Sequence, residues 1–304
     1  MSTVLLVTLM SFLGSDQTGT VVLPLLKIGQ GARAGAMGES FTALADDATA
    51  LYWNPAGLGQ LAREYNFAVT HHEWFIDTRD ELVHAALPAG PGALGLSLVC
   101  SSVLGIKAWD EQNQPGDTFG LWSVVASGGY GLPIGRDFYL GASVKGLFEN
   151  LRTSSGFGGG IDLGAMGRPL RHLSLGIAAR NLGVAHYGSQ WQKLSWDVGL
   201  GASLSVQHLM ATADVTLPCD NWPTARIGIE VLPIKELALR LGYRTGPVDR
   251  GTLGWISGLT AGIGINIEPL SVDYALVPYG ALGLTHRIGI RIRLNDRIAR
   301  RLRS

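Results

Sequence analysis

The amino-acid sequence predicts an all-β fold, a transmembrane barrel of about fourteen antiparallel strands with a short helical plug near its N-terminus. Three observations carry that expectation. Segments of about 8 to 11 residues that alternate apolar and polar side chains recur from about residue 60 to Leu294. Charges keep to one side of the alternation. The connections between segments are short and long by turns.

The last segment shows the pattern most plainly: Ile288, Ile290, Ile292 and Leu294 share one face of an extended strand, and Arg287, Arg291 and Arg293 share the other with Gly289. By itself this fits either a soluble β core or a membrane wall. Composition separates the two. Only 16% of residues are charged while 46% are apolar, and the chain holds 42 glycines, too few charges to cover a soluble surface of this size. Lys145, Asp162, Arg180, Asp197, Asp214, Arg226, Glu230, Arg240, Asp273, Arg287, Arg291 and Arg293 all fall opposite the apolar row. A charge at the lipid midplane costs about 2 to 4 kcal/mol, so a lipid-facing row excludes charge this strictly. The other row is Gly, Ser, Ala and isolated charges, which suits a crowded polar lumen. Arg180, Asp197, Arg240, Asp273, Arg287, Arg291 and Arg293 are therefore expected to face that lumen. Lys plus Arg equal Asp plus Glu at 24 each, so no global field points to nucleic acid.

Short turns are expected at residues 88–92, 133–137, 168–172, 207–209, 233–236 and 268–269, and longer connections at 76–81, 103–120, 150–157, 182–194, 218–223, 245–258 and 278–284. An even number of strands places both termini on the short-turn side, periplasmic in a bacterial outer membrane. Trp74, Trp122, Trp191, Trp196, Trp222 and Trp255 are expected at strand ends as an interfacial girdle.

Residues 1–20 read as a signal-peptide-like segment, of the kind a misassigned start codon leaves truncated, with an apolar stretch from Val4 to Leu13. Residues 21–59 read as the plug: Gly31 to Leu44 is rich in small residues, Asp46 or Asp47 can cap a helix over Ala48 to Trp53, and Pro55 ends it. The barrel takes residues 60–294. Residues 295–304, with Arg297, Arg300, Arg301 and Arg303, form a basic tail. A barrel of this strand number is wider than side chains alone can fill, so the plug is expected inside it.

The stretch from Gly31 through Asn54, Pro55, Ala56 and Gly57 resembles the N-terminal signature of the PorV/PorQ family of outer-membrane proteins, relatives of the FadL channels. His72 to Phe75 resembles that family's first-strand motif, and Leu241 to Gly246, Gly258 to Gly264 and Leu270 to Leu294 resemble its last four strands. The resemblance implies a 14-stranded barrel with an N-terminal hatch and assigns Asn54, Pro55, Ala56 and Gly57 to the hatch motif. One departure is clear: Leu294 stands where many such barrels end on an aromatic residue, and a tail follows.

No cofactor, metal or catalytic constellation is expected. His71 and His72 face opposite sides of a strand and cannot share one ion with Glu73 and Asp77. Gly156 to Gly160 lacks the Lys and Ser/Thr of a phosphate loop. Two non-enzymatic functions remain, besides contact with outer-membrane lipid. Resemblance to PorV implies a type IX secretion-like accessory whose outer loops bind exported proteins or secretion-machinery subunits, with Trp109, Asp110 and Trp255 as candidate contacts. Resemblance to FadL implies a passive channel for long-chain fatty acids or other hydrophobic small molecules. The polar run Trp109 to Gln114 favours the first.

Overall fold

The computed structural model describes residues 22–75, 77–110, 112–245, 254–280 and 283–295. The signal-like segment, Glu111, most of the 245–258 connection and the basic tail after Asn295 lie outside the described residues. The first half of the sheet comprises β1 (Glu64–Glu73), β2 (Thr78–Ala89), β3 (Gly92–Trp109), β4 (Pro115–Ile134), β5 (Phe138–Asn150), β6 (Ser155–Leu170) and β7 (Leu173–Tyr187). After a short β8 (Gln190–Lys193) come β9 (Asp197–Val206), β10 (Leu209–Pro218), β11 (Thr224–Ile234), β12 (Leu237–Arg244), β13 (Leu259–Ile267), β14 (Leu270–Pro278) and β15 (Leu284–Asn295). Each neighbours the next in antiparallel fashion, except that β7 pairs directly with β9 and β8 pairs only with β7. β1 pairs with β15, with Val69 opposite Ile290 and His72 opposite Arg287. That pairing closes a 14-stranded barrel and leaves no sheet edge in the wall.

The alternation places its apolar row outside. Ile290 is 45% exposed and Arg287 is fully buried, although the two lie on one strand. Exposed Leu, Ile, Val and Phe cover the outside of every wall strand, as lipid contact requires.

The lumen is filled by the plug, residues 22–61. Its elements are a 3-10 turn (Pro24–Lys27), α1 (Ala32–Ala36), α2 (Ala50–Trp53) and a second 3-10 segment (Pro55–Leu61). Elements this short have little stability of their own. They hold because Met37, Phe41, Leu51, Trp53 and Leu58 are buried in one cluster between plug and wall. Glycines on the inner wall make room. A Cβ at Gly242 would lie 2.0 Å from Gly38 N, so backbone packs on backbone there, and one at Gly164 would lie 2.0 Å from Asn54 Oδ1, so the wall backbone there packs on the Asn54 side chain.

Four local expectations need correction. The 103–120 connection is mostly strand, since β3 runs to Trp109 and β4 begins at Pro115. This hairpin extends past the apolar band, where both faces meet water and alternation no longer marks a strand. The 182–194 connection likewise contains the end of β7 and all of β8. The helix after Asp47 starts at Ala50, with Thr49 at its N-cap; Asp47 instead accepts hydrogen bonds from Thr49 N at 2.9 Å and Thr49 Oγ1 at 2.5 Å, shaping the turn before it. Trp74 belongs to no girdle, because it packs against Tyr279, ring centroids 4.6 Å apart, and under the Arg287 guanidinium.

Substituting Ile290 by Arg places a charge on the lipid face at a cost of about 2 to 4 kcal/mol, and is expected to abolish the heat-dependent shift in gel mobility that marks a folded barrel. Ser271→Glu, which places a charge on the inward row of β14 between the outward-facing Leu270 and Val272, should preserve that shift; loss of the shift in Ser271→Glu with its retention in Ile290→Arg would reverse the assigned faces.

Candidate functional site

The plug is fastened to the wall by buried ion pairs. Arg33 of α1 forms two hydrogen bonds with Glu230, Nε to Oε2 and Nη2 to Oε1, each 2.9 Å, and reaches Asp46 at 2.5 Å. From Glu230 the contacts run along the wall: Arg240 Nε bonds Glu230 at 2.5 Å, Arg240 Nη1 bonds Asp273 at 2.7 Å, and Arg291 Nε bonds the other Asp273 oxygen at 2.8 Å. Arg291 then returns to the plug at Asp47, 3.6 Å away. Every charge in this circuit has an opposite partner, as burial demands.

A second fastening centres on Glu39. Its carboxylate lies 3.0 Å from Arg287 and 3.1 Å from Arg244. Burial opposes its ionisation, but Arg244, Arg287 and Arg226 outweigh that and hold its pKa down at about 2. Backbone contacts complete the docking. Phe41 N and Thr42 N donate to Asp214 Oδ2 at 2.9 and 2.8 Å, and Gly38 N donates to Thr260 Oγ1 at 2.9 Å.

Asn54 occupies the N-cap of the second 3-10 segment, where its Oδ1 accepts from Ala56 N at 3.1 Å. Its Nδ2 donates to Thr42 O at 2.9 Å, joining two parts of the plug. Pro55 fixes the first helical position, Ala56 and Gly57 are buried, and Gly57 has no room for a side chain, a Cβ there falling 2.1 Å from Ala45 O.

Where the plug does not fill the lumen, a half-open cavity of about 530 Å³ remains on the long-connection side. Leu26, Lys27, Ile28, Tyr52 and Trp53 of the plug form part of its lining, and Trp74 and Tyr279 supply aromatic wall. Arg180 joins it from a bulge between β6 and β7, where Asn181 takes a φ of 59°. Arg180 bonds Asp197 through Nε at 2.8 Å and Nη2 at 2.5 Å, and donates to Trp53 O at 3.3 Å. Burial raises the Tyr52 pKa, so its hydroxyl stays protonated, and it donates to Leu26 O at 3.2 Å.

The sequence-singled charges therefore occupy four different places. Arg240, Asp273 and Arg291 lie in the ion-pair circuit, Arg180 and Asp197 line the cavity, and Arg287 pairs with Glu39 and lies over the Trp74 ring. Arg293 is at the short-turn rim, where it donates to Asp46 O at 3.0 Å. Trp109 and Trp255 are exposed at the opposite end, at 58% and 64%. Asp110 is engaged by its own turn, accepting from Gln112 N at 3.0 Å and Gln114 N at 2.7 Å. Sequence reasoning missed Arg33 and Glu39. They are the two charges in the small-residue run Gly31 to Leu44, and a charge in so apolar a segment signals a buried partner.

Residues 13–132 match the model of the uncharacterised protein family UPF0164. That match is the PorV/PorQ resemblance, and it covers the plug and the first four strands. No curated protein sequence matches the chain. Among solved structures the chain is similar to the toluene transporter TodX of Pseudomonas putida, at 14% identity and a TM-score of 0.63, over 91% of this chain and 98% of that one. It is also similar to the monoaromatic hydrocarbon channel CymD, at 11% identity and a TM-score of 0.58, over 87% and 96% of the two chains. A FadL homologue of Pseudomonas aeruginosa aligns at 11% identity and a TM-score of 0.55, over 88% and 98%. These likenesses are of fold: a 14-stranded barrel of FadL type.

Glu39→Gln leaves Arg244 and Arg287 without their shared carboxylate and should cost about 3 to 5 kcal/mol of plug docking, measured as loss of thermal stability. Because the folded pKa of Glu39 lies near 2, below its ordinary value of 4.5, its contribution is complete above pH 4.5 and is lost as pH falls toward 2. Pepsin cleavage within the plug should rise across that interval in the parent protein and vary less in Glu39→Gln. At neutral pH, Gly242→Val should expel Gly38 from the wall and open the Arg33 bond to trypsin, which the parent protein resists.

Proposed function

We propose that this chain is an outer-membrane channel of FadL type for hydrophobic small molecules, with the cavity above the plug as the station where a molecule binds from outside. The carrying observation is the cavity itself: about 530 Å³, half-open, and bounded by Leu26, Ile28, Tyr52, Trp53, Trp74 and Tyr279, which is the size and lining of a small-molecule site. In this reading both termini are periplasmic and passage requires the plug to shift. Fold-level likeness to channels for toluene and monoaromatic hydrocarbons supports the reading by analogy.

A secretion-accessory reading keeps one observation in its favour, the exposure of Trp109 and Trp255 at the long-connection end, where a bound exported protein would cover them. Asp110 contributes less to it, since its turn already uses the carboxylate.

Binding of a naphthalene compound to the purified protein held in amphipol tests the channel reading. Trp53→Ala should remove most of the binding, because one aromatic contact of this kind is worth about 0.5 to 1.5 kcal/mol beyond the area it buries. Unchanged binding in Trp53→Ala would overturn the cavity as the station. Gene deletion that depletes exported surface proteins while leaving hydrophobic uptake intact would favour the secretion reading instead.

A further inference from the structure

The lipid-facing side of the wall is not smooth. Over β6, near the short-turn end, lies an open groove of about 570 Å³ lined by Ile134, Phe138, Ala165, Gly167, Leu175 and Ile177. Strand register makes it. On β6 the outward residues Ala165 and Gly167 are small; Gly167 stands opposite Phe138 of β5 and Leu175 of β7, and Ala165 stands opposite Ile177 of β7. Large, lipid-exposed side chains therefore flank a floor of small ones. Nothing in the fold requires glycine at 167. Its backbone does not take the left-handed range, and a Cβ there would lie 3.6 Å from Phe138 Cδ2 and 3.8 Å from Asp137 O, ordinary contact distances. Gly242 lacks a side chain because the plug presses on it, whereas Gly167 has room for one and leaves the room open.

The short-turn end of the groove is basic. Arg136 in the β4–β5 turn and Arg171 in the β6–β7 turn are exposed, and Arg168 of β6 lines the groove. The two turns are joined, Arg168 N donating to Asp137 O at 2.7 Å. Asp137 is the single carboxylate of this sector: residues 133–139 and 165–175 hold no other, and the neighbouring turns at 89–92 and 207–209 hold none. Among the described residues none of the three arginines forms an ion pair. The Arg168 guanidinium rests over the Tyr139 ring, 5.5 Å from its centroid, and donates to Gln60 of the plug. Elsewhere on this rim the charges are matched, Lys235 adjoining Glu236 and Arg293 lying 3.5 Å from Glu64. An excess of cations at the height of the headgroups attracts anionic lipid.

We propose that this groove is a site for one anionic phospholipid of the surrounding bilayer, with an acyl chain along Ala165 and Gly167 and the headgroup phosphate at Arg136 and Arg171. With the short turns periplasmic, the groove lies in the periplasmic leaflet, where the lipid is phospholipid. The site is on the outside of the barrel and is independent of the cavity above the plug. Guanidinium forks give a phosphate charge-assisted hydrogen bonds. A zwitterionic headgroup brings an ammonium that the same arginines repel, so phosphatidylglycerol is selected over phosphatidylethanolamine.

The test is native mass spectrometry of the full-length protein in detergent, titrated separately with dioleoyl phosphatidylglycerol, dioleoyl phosphatidylethanolamine and inorganic phosphate. The first phosphatidylglycerol should bind at least about tenfold more tightly than the first phosphatidylethanolamine, and inorganic phosphate at equal concentration should not displace it. Arg136→Gln combined with Arg171→Gln should lower phosphatidylglycerol affinity by about tenfold or more and leave phosphatidylethanolamine within about a factor of two. Both arginines are exposed turn residues outside the plug, so this variant should keep the heat-dependent gel shift. Gly167→Leu fills the groove without a clash and should weaken both phospholipids alike. Equal affinity for the two phospholipids in the parent protein, or an undiminished preference in the double arginine variant, would overturn the anionic headgroup site. Unchanged binding in Gly167→Leu would overturn the groove as the seat of the acyl chain. Displacement of phosphatidylglycerol by inorganic phosphate at equal concentration would overturn the phospholipid as the ligand.

Discussion

Fold and site both depend on the circuit of guanidinium and carboxylate groups that leaves the plug at Arg33, crosses the wall through Glu230, Arg240, Asp273 and Arg291, and returns to the plug at Asp47. Charges taken out of water are tolerated only with partners in good geometry. Each half meets that condition more fully with the other present. Without the plug, Glu230 would lose its two-pronged partner and keep only Arg240; without the wall, Arg33 would keep only Asp46 and the more distant Asp47. Plug and barrel are in this sense one folding unit, although the lumen boundary divides them in space.

That constraint also explains the shape of the cavity. Glu39 draws Arg244 and Arg287 toward the plug, Phe41 N and Thr42 N donate to Asp214 of the wall, and Asn54 Nδ2 reaches the wall carbonyls of Ala165 and Ile177 at 3.3 Å. The wall answers with glycine where the plug presses closest, at Gly242 against the Gly38 backbone and at Gly164 against the Asn54 side chain. Aromatic and basic side chains collect where the plug stops, on the long-connection side. The cavity is what remains between a plug held at one end of the lumen and loops at the other.

Much of the fold was legible in the sequence because side-chain parity along a strand is a local property. Ile288, Ile290 and Ile292 opposite Arg287 and Arg291 could be sorted into two faces without knowing any neighbour. Parity was less informative where its physical cause lapsed. The hairpin of β3 and β4 beyond residue 103 has water on both sides, so nothing enforces alternation and the strand read as a loop. At Asn181 a bulge inserts one residue, and Arg180 reaches the cavity through that irregularity. In the site, Arg180 and Asp197 were recognised as lumen charges, whereas Glu39 and Arg33 were not, since their partners lie about 200 residues away along the chain.

The sequence by itself determined the architecture: a periodic oily row excluding charge, connections alternating in length, and a small-residue segment suited to a crowded lumen. These follow from burial energies that act residue by residue. Only the tertiary structure decided which inward charges meet. Arg226 and Arg244 become neighbours through strand register, and Glu39 reaches Arg244 and Arg287 only once the barrel has closed around the plug. Pairing depends on register, closure and the position of the plug together, and none of these is written in the local pattern of any single strand.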